Sequence, residues 1–154
     1  MSIFSGEVHF FANVFRVLIA YDPYALDKRK VHNLRVDLPT LLKVKEGELT
    51  IEDVISETYS FQNLDQMNKA FREWLNIDLK SIFFKRKRIG HQISFLEDRI
   101  QEIIQYRHGV VHRFELDRSL TKDGYIAILD AIEASIKEFL NYLEMKYQIT
   151  IERM

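Results

Sequence analysis

The chain of 154 residues contains no cysteine, only two prolines and five glycines, and a single tryptophan. Without cysteine there is no disulfide, no thiolate nucleophile, and no zinc or iron–sulfur site built on thiolates. The same absence fits a reducing compartment, so a cytoplasmic location is expected. Neither sign of charge dominates, because 22 Lys+Arg stand against 23 Asp+Glu for a formal charge of −1. The protein as a whole is therefore no magnet for nucleic acid or anionic lipid, and any polyanion site has to be local. Long apolar runs are also missing. The most apolar stretch, from Phe10 to Tyr21, is interrupted by Asn13 and Arg16 and falls short of the roughly 20 residues a membrane span requires. Residues Met1 to Glu7 show no basic region of a secretion signal, so a soluble protein with no membrane partner is expected.

What is present suffices for a core. Hydrophobic residues make up 47% of the chain, and a domain of this size removes about 68–70% of its unfolded surface from water, so no metal or disulfide staple is needed. Both prolines lie before residue 40, which leaves the rest of the chain free of strong helix breakers. A first helix is expected from Gly6 to Tyr21, with Val8, Phe11, Phe15, Leu18 and Ile19 at helical spacing and a stop at Asp22-Pro23. From Tyr24 to Gly47 two readings stand open: a helix over His32 to Leu42 interrupted at Pro39, or a strand over the alternating Leu42-Lys43-Val44-Lys45. Thr50 caps a short helix from Ile51 to about Tyr59. Asn63 caps another, whose Leu64, Met67, Phe71, Trp74 and Leu75 form a buried stripe.

Beyond the run Lys85-Arg86-Lys87-Arg88, the residues Ile89, Ile93, Leu96, Ile100, Ile103, Ile104, Val110 and Val111 predict one long amphipathic helix. A polar connection over Glu115 to Gly124 precedes a last helix from about Tyr125, with Ile128, Leu129, Ile132, Ile136, Phe139, Leu140, Leu143 and Tyr147 in register. Two long helices joined by a short connection pack antiparallel. The expected fold is all-α, an antiparallel helical bundle. No repeat or linker-like shift divides the chain, so residues 1–154 are read as one helical domain with an N-terminal extension over 1–60 and a core over 61–150.

Chemistry concentrates in Tyr106-Arg107-His108-Gly109-Val110-Val111-His112-Arg113, which holds two histidines and two arginines within seven residues. His108 and His112 share a helix face, whereas Arg107 and His112 are about 140° apart on an ideal helix and converge only if the helix distorts or a partner chain contributes. Gly109 permits such a distortion. Imidazole transfers protons near neutral pH, and guanidinium stabilises phosphate charge without losing its own proton. Together they are the parts of a metal-free ribonuclease. The structural alternative is that these cations simply complement the carbonyls of a helix C-terminus.

Two further clusters carry two readings each. Lys85, Arg86, Lys87 and Arg88 suit phosphate contacts or form a solvated face. The segment Lys85 to Arg118 holds eight Lys/Arg against five Asp/Glu, a local excess of positive charge on an otherwise acidic chain. In a continuous helix the basic run would lie about 30 Å from His112. His91, His108 and His112 lack a neighbouring carboxylate and a defined third ligand, so no metal and no cofactor is expected. Phe4, Phe10, Phe11, Phe15, Phe83 and Phe84 are core or pocket residues, and the Phe83-Phe84 pair is equally an interface candidate. No nucleophile-elbow sequence supports serine hydrolysis.

The residues from Arg107 to His112, an arginine followed by four residues and a histidine with a polar residue directly after the arginine, resemble the motif of the HEPN superfamily. The form Arg-His-x-x-Val-His-Arg is similar to the RiboL-PSP-HEPN type. The resemblance covers about Asn63 to Tyr147 and implies an all-α bundle whose motif lies on a long helix next to the last one. It further implies a homodimer in which two motifs meet in one cleft, and a metal-independent endoribonuclease of toxin–antitoxin or anti-phage defence systems. On that likeness Arg107 and His112 are the catalytic pair, supported by His108 and completed by the same residues of the second subunit. From the residues themselves, Arg113 is expected as an auxiliary phosphate contact, Lys85, Arg86, Lys87 and Arg88 as RNA-binding residues, and an antitoxin or regulatory protein as a further partner. HEPN toxins paired with nucleotidyltransferases usually carry tyrosine two residues after the motif histidine; Phe114 stands there, so control by tyrosine adenylylation at that position is not expected. The alternative is a non-catalytic HEPN-like homodimer that binds RNA, nucleotide or a protein.

Overall fold

A computed structural model describes residues 3–89, 92–113 and 121–153, excepting the side chains of residues 3–8, 92 and 107–113. The described part is mostly helical, with eight helices and one two-stranded sheet. It divides into two compact units, Met1–Ile77 and Asp78–Met154.

The first unit contains α1 (Ile3–Tyr21), α2 (Pro23–Val31), α3 (Leu38–Lys45), α4 (Ile51–Glu57) and α5 (Leu64–Leu75). Asp22 serves two helices. Its N–H donates to the Leu18 carbonyl at 2.8 Å as α1 ends, and its carboxylate accepts from the Tyr24 N–H at 2.8 Å as α2 begins. Pro23 sits in the first turn of α2, where it has no intrahelical bond to lose. The dipeptide that stops one helix therefore starts the next. Asp37 caps α3 in the same way, accepting from the Thr40 N–H at 2.8 Å, with Pro39 in the first turn.

Between the two readings open for residues 24–47, the outcome is helical, but Pro39 initiates α3 instead of interrupting a helix, and Leu42 to Lys45 are its last turn, not a strand. Thr50 and Asp53 form a reciprocal capping box at α4. Asn63 caps α5 through the Gln66 N–H at 2.8 Å, and Asn76 closes it in the left-handed conformation, φ 53°.

The core of this unit is aromatic. Phe11, Phe15 and Ile19 of α1, Phe61, and Met67, Phe71, Trp74 and Leu75 of α5 are buried. The Phe15 ring lies 5.4 Å from both the Phe61 and the Phe71 rings, and truncating any one of these residues to alanine costs about 3–5 kcal/mol. Trp74 brings a polar atom inside and satisfies it: Nε1–H donates to the Tyr59 hydroxyl at 2.8 Å, which donates in turn to Glu73 Oε2 at 2.5 Å. His32 stacks flat on the same indole, with centroids 4.4 Å apart.

The second unit contains α6 (Leu79–Phe83), β1 (Arg86–Ile89), β2 (Gln92–Phe95), α7 (Leu96–Arg113) and α8 (Lys122–Tyr147). The long helix expected from Ile89 onward starts seven residues later, at Leu96. In its place β1 and β2 pair antiparallel, with Arg86 opposite Phe95 and Arg88 opposite Ile93. Ile89 and Ile93 imitate a helical spacing of four but fall on different strands and opposite faces of the hairpin, Ile89 buried and Ile93 exposed, and the four basic residues carry no hydrophobic signal that would reveal the strand. The hairpin is fastened to α7 by the Leu96 N–H, which donates to the Lys85 carbonyl at 3.0 Å.

α7 buries Leu96, Ile100, Ile103 and Ile104, which recur at helical spacing, and packs against α8, as do α6 and β1. α8 is capped by Thr121 and closed by Gln148 in the left-handed conformation, φ 52°. Its buried row is Ala131, Ser135, Phe139 and Leu143, every fourth residue, while Ile128, Leu129, Ile132, Ile136 and Leu140 are only half-buried beside it. The row is mixed in size, small at Ala131 and Ser135 and bulky at Phe139 and Leu143.

Candidate functional site

The cluster Arg107, His108, His112 and Arg113 occupies the last two turns of α7, with Tyr106 immediately before it. The side chains of residues 107–113 lie outside the described residues, whereas their backbone is described. It is α-helical from Leu96 through Gly109 to Arg113. The distortion that Gly109 permits is therefore absent from the backbone. On such a helix His108 and His112 lie about 40° apart and one turn along the axis, whereas Arg107 and His112 diverge by about 140°. His91 and Phe114 lie outside the described residues, and among the described residues no group of three metal-ligating side chains occurs.

Beside the motif, a cavity of about 330 Å³ opens between α7 and α8. Arg99, Ile103 and Tyr106 line one side of it, and Gly124, Ala127 and Ala131 the other. Arg99 is held in place there, donating from Nε to Ser94 Oγ at 3.1 Å and pairing through Nη1 with Glu102 at 3.0 Å.

The basic run lies at the opposite end of α7. Because Arg86 is paired with Phe95, one residue before the helix begins, the run and His112 are separated by nearly the whole of α7, about 24 Å along its axis. One chain does not gather Lys85 to Arg88 and the motif into a single cleft. Nor do the four basic residues act alike. Lys85 and Lys87 both pair with Glu138 of α8, at 2.5 and 2.7 Å, and these two bonds hold the Glu138 carboxyl below the usual glutamate range. Arg86 and Arg88 alternate with them along the chain and are exposed, and the Arg86 guanidinium lies 5.0 Å from the centre of the Phe95 ring.

Two features were missed by sequence reasoning. Phe84 stacks on Phe95 at 4.8 Å with the rings nearly parallel, which could have been anticipated only from a hairpin register. Tyr59 is held protonated: burial and then its bond to Glu73 push the phenol well above the ordinary value of 10.0, a consequence of tertiary packing with no sequence signal. Burial, followed by the nearby Asp78, also raises Tyr142. No helix among the described residues is long and apolar enough to cross a membrane. Compared with known proteins, the chain matches no family model, no curated protein and no solved structure.

Proposed function

We propose that the chain is a metal-independent endoribonuclease of HEPN type, acting as a C2 homodimer in the cytoplasm within a toxin–antitoxin or anti-phage defence setting. The observation that carries this reading is the position of Arg107, His108 and His112 on the last two turns of a long helix packed against the final helix. The unbroken backbone through Gly109 favours a dimer, since a two-fold axis offers each motif the residues that its own helix turns away.

In the proposed reaction a histidine base removes the ribose 2′-hydroxyl proton. The freed oxygen attacks the adjacent phosphorus, and the bond to the 5′-oxygen breaks as an acid protonates it. His112 is the acid or base, Arg107 binds the scissile phosphate and balances its developing charge, His108 supports them by hydrogen bonding, and Arg113 is an auxiliary phosphate contact. Metal and cofactor have no assigned step, and an antitoxin or regulatory protein is the partner that would hold such an activity in check.

The test is cleavage of end-labelled tRNA and mRNA in excess EDTA by the wild type, Arg107→Ala and His112→Ala. Cleavage by the wild type alone is expected, with dimer and helix content unchanged in the variants; wild-type cleavage by either variant refutes the assignment. The divergence of Arg107 and His112 on one helix favours a second reading, a non-catalytic dimer that binds RNA, nucleotide or a protein. Saturable binding without product distinguishes it.

A further inference from the structure

The β1–β2 hairpin has two unlike faces. Because paired residues of an antiparallel ladder project to the same side, Lys87 and Ile89 share one face with Ser94, and Arg86, Arg88, Ile93 and Phe95 share the other. The first face is spoken for: Ile89 is buried, Lys87 pairs with Glu138, and Ser94 accepts from Arg99. Among the described residues no carboxylate pairs with the arginines of the second face. Arg86 and Arg88 are exposed, Ile93 is 68% exposed, and Phe84, although stacked on Phe95, remains 65% exposed.

A merely solvated basic face gives no reason to set a stacked phenylalanine pair and an isoleucine beside two arginines, and Phe84 is the one phenylalanine among the described residues that is mostly exposed. Nor would a hydrophobic protein contact alternate its apolar groups with two uncompensated guanidinium groups, which cost heavily to desolvate unless an anion meets them. The chemistry that satisfies both halves at once is a polyanion with planar apolar faces between its charges. That is unpaired nucleic acid, whose bases stack on aromatic rings and guanidinium planes while arginines meet its phosphates.

We infer that Phe84, Phe95, Arg86 and Arg88 form a stacking platform for single-stranded nucleic acid, on which an unpaired base lies against Phe84 as Phe84 lies against Phe95. The inference rests on the ribonuclease reading only in taking the strand to be RNA. It makes the substrate single-stranded and separates the surface that holds the strand from the motif at the far end of α7. A duplex offers no free base face to the platform and competes only through its phosphates. Lys85 and Lys87, engaged by Glu138, are not part of it.

The test is fluorescence anisotropy of the full chain with a labelled 2′-O-methyl adenosine oligonucleotide, which cannot be cleaved by 2′-attack, and with the same strand in a duplex. Phe84→Ala is expected to weaken single-strand binding about 5- to 150-fold, the range one base–aromatic stack supports, with little effect on the duplex. Phe84→Trp, which keeps a ring there, binds at least as tightly as the wild type and keeps the test meaningful if the alanine variant is poorly folded. Arg88→Gln lowers the slope of log affinity against log salt by about 0.7, one phosphate contact to a single strand, whereas Phe84→Ala leaves that slope unchanged.

Unaltered single-strand affinity in Phe84→Ala, or equal losses for single strand and duplex, overturns the platform. So does a Phe84→Ala effect confined to self-association by sedimentation, which would make the face a protein contact. Phe84-dependent binding by a protein that cleaves nothing refutes the nuclease reading and keeps the platform. Arg107-dependent cleavage with Phe84-independent binding does the reverse.

Discussion

Replacing Glu138 by glutamine isolates one carboxylate that two lysines share. In the native protein Lys85 Nζ and Lys87 Nζ lie 2.5 and 2.7 Å from its two oxygens, and the Glu138 side chain is 12% exposed while the lysines are 51% and 42% exposed. Pairs so open to solvent contribute about 0.2–1 kcal/mol each, so losing both costs roughly 0.4–2 kcal/mol. For a chain of this length that corresponds to a fall in Tm of roughly 1–8 °C.

The pH dependence follows from the lowered Glu138 pKa. A carboxyl whose folded pKa is depressed stabilises the fold above its unfolded value, here the ordinary 4.5, and that contribution disappears as pH falls through the folded value. Circular dichroism melts of wild type and Glu138→Gln should therefore differ at pH 7 and converge well below pH 4.5. A double-mutant cycle with Lys87→Met should return a positive coupling at pH 7. A fall in Tm of equal size at both pH values would show that shape and not charge is at stake, and no fall at pH 7 would remove the ion pairs from any account of stability.

Tyr59→Phe leaves the buried Trp74 N–H without an acceptor, so chemical denaturation should show a loss of about 1–3 kcal/mol. Because burial and Glu73 raise the Tyr59 pKa above 10.0, its contribution is complete below that pH and is lost as pH rises from there through the folded value. Phenolate absorbance should accordingly show a late-ionising tyrosine that vanishes in the variant. Gln148→Gly relieves an L-residue held at φ 52° and should raise stability by about 1 kcal/mol in urea titration. Thr50→Ala removes half of the capping box at α4 and should cost about 1 kcal/mol in the same titration, most of it restored by Thr50→Asn.

Caps and apolar stripes were legible because they are local. Thr50 and Asn63 name their helices within three residues, and Met67, Phe71 and Trp74 mark a buried face without reference to anything distant. Asp22-Pro23 was readable as a stop but not as a start, since whether a helix resumes after proline depends on what the next apolar residues find to pack on. The hairpin was illegible for a different reason: Lys85 to Arg88 carry no hydrophobic contrast, and which of them pair with a carboxylate is decided by Glu138, far along the chain on α8. Ala131 and Ser135 were passed over on α8 because periodicity weighs residues by hydrophobicity, and neither small side chain carries a strong apolar signal. The motif was legible as a cluster. That its helix continues through Gly109 was not, because glycine allows a break without requiring one.

The lone tryptophan gives the molecule a spectroscopic asymmetry. Trp74 is fully buried, and its indole is bonded to Tyr59 and covered by His32, all within residues 1–77. Its emission reports the aromatic core of that unit alone. Ellipticity sums the helices of both units, α7 and α8 included. Recorded together during one denaturant titration, the two signals tell whether the halves of the chain melt as one cooperative body or in sequence. Coincident curves would make every substitution near α7 felt at Trp74, whereas separated curves would let the motif-bearing half be destabilised while the fluorescence stays native.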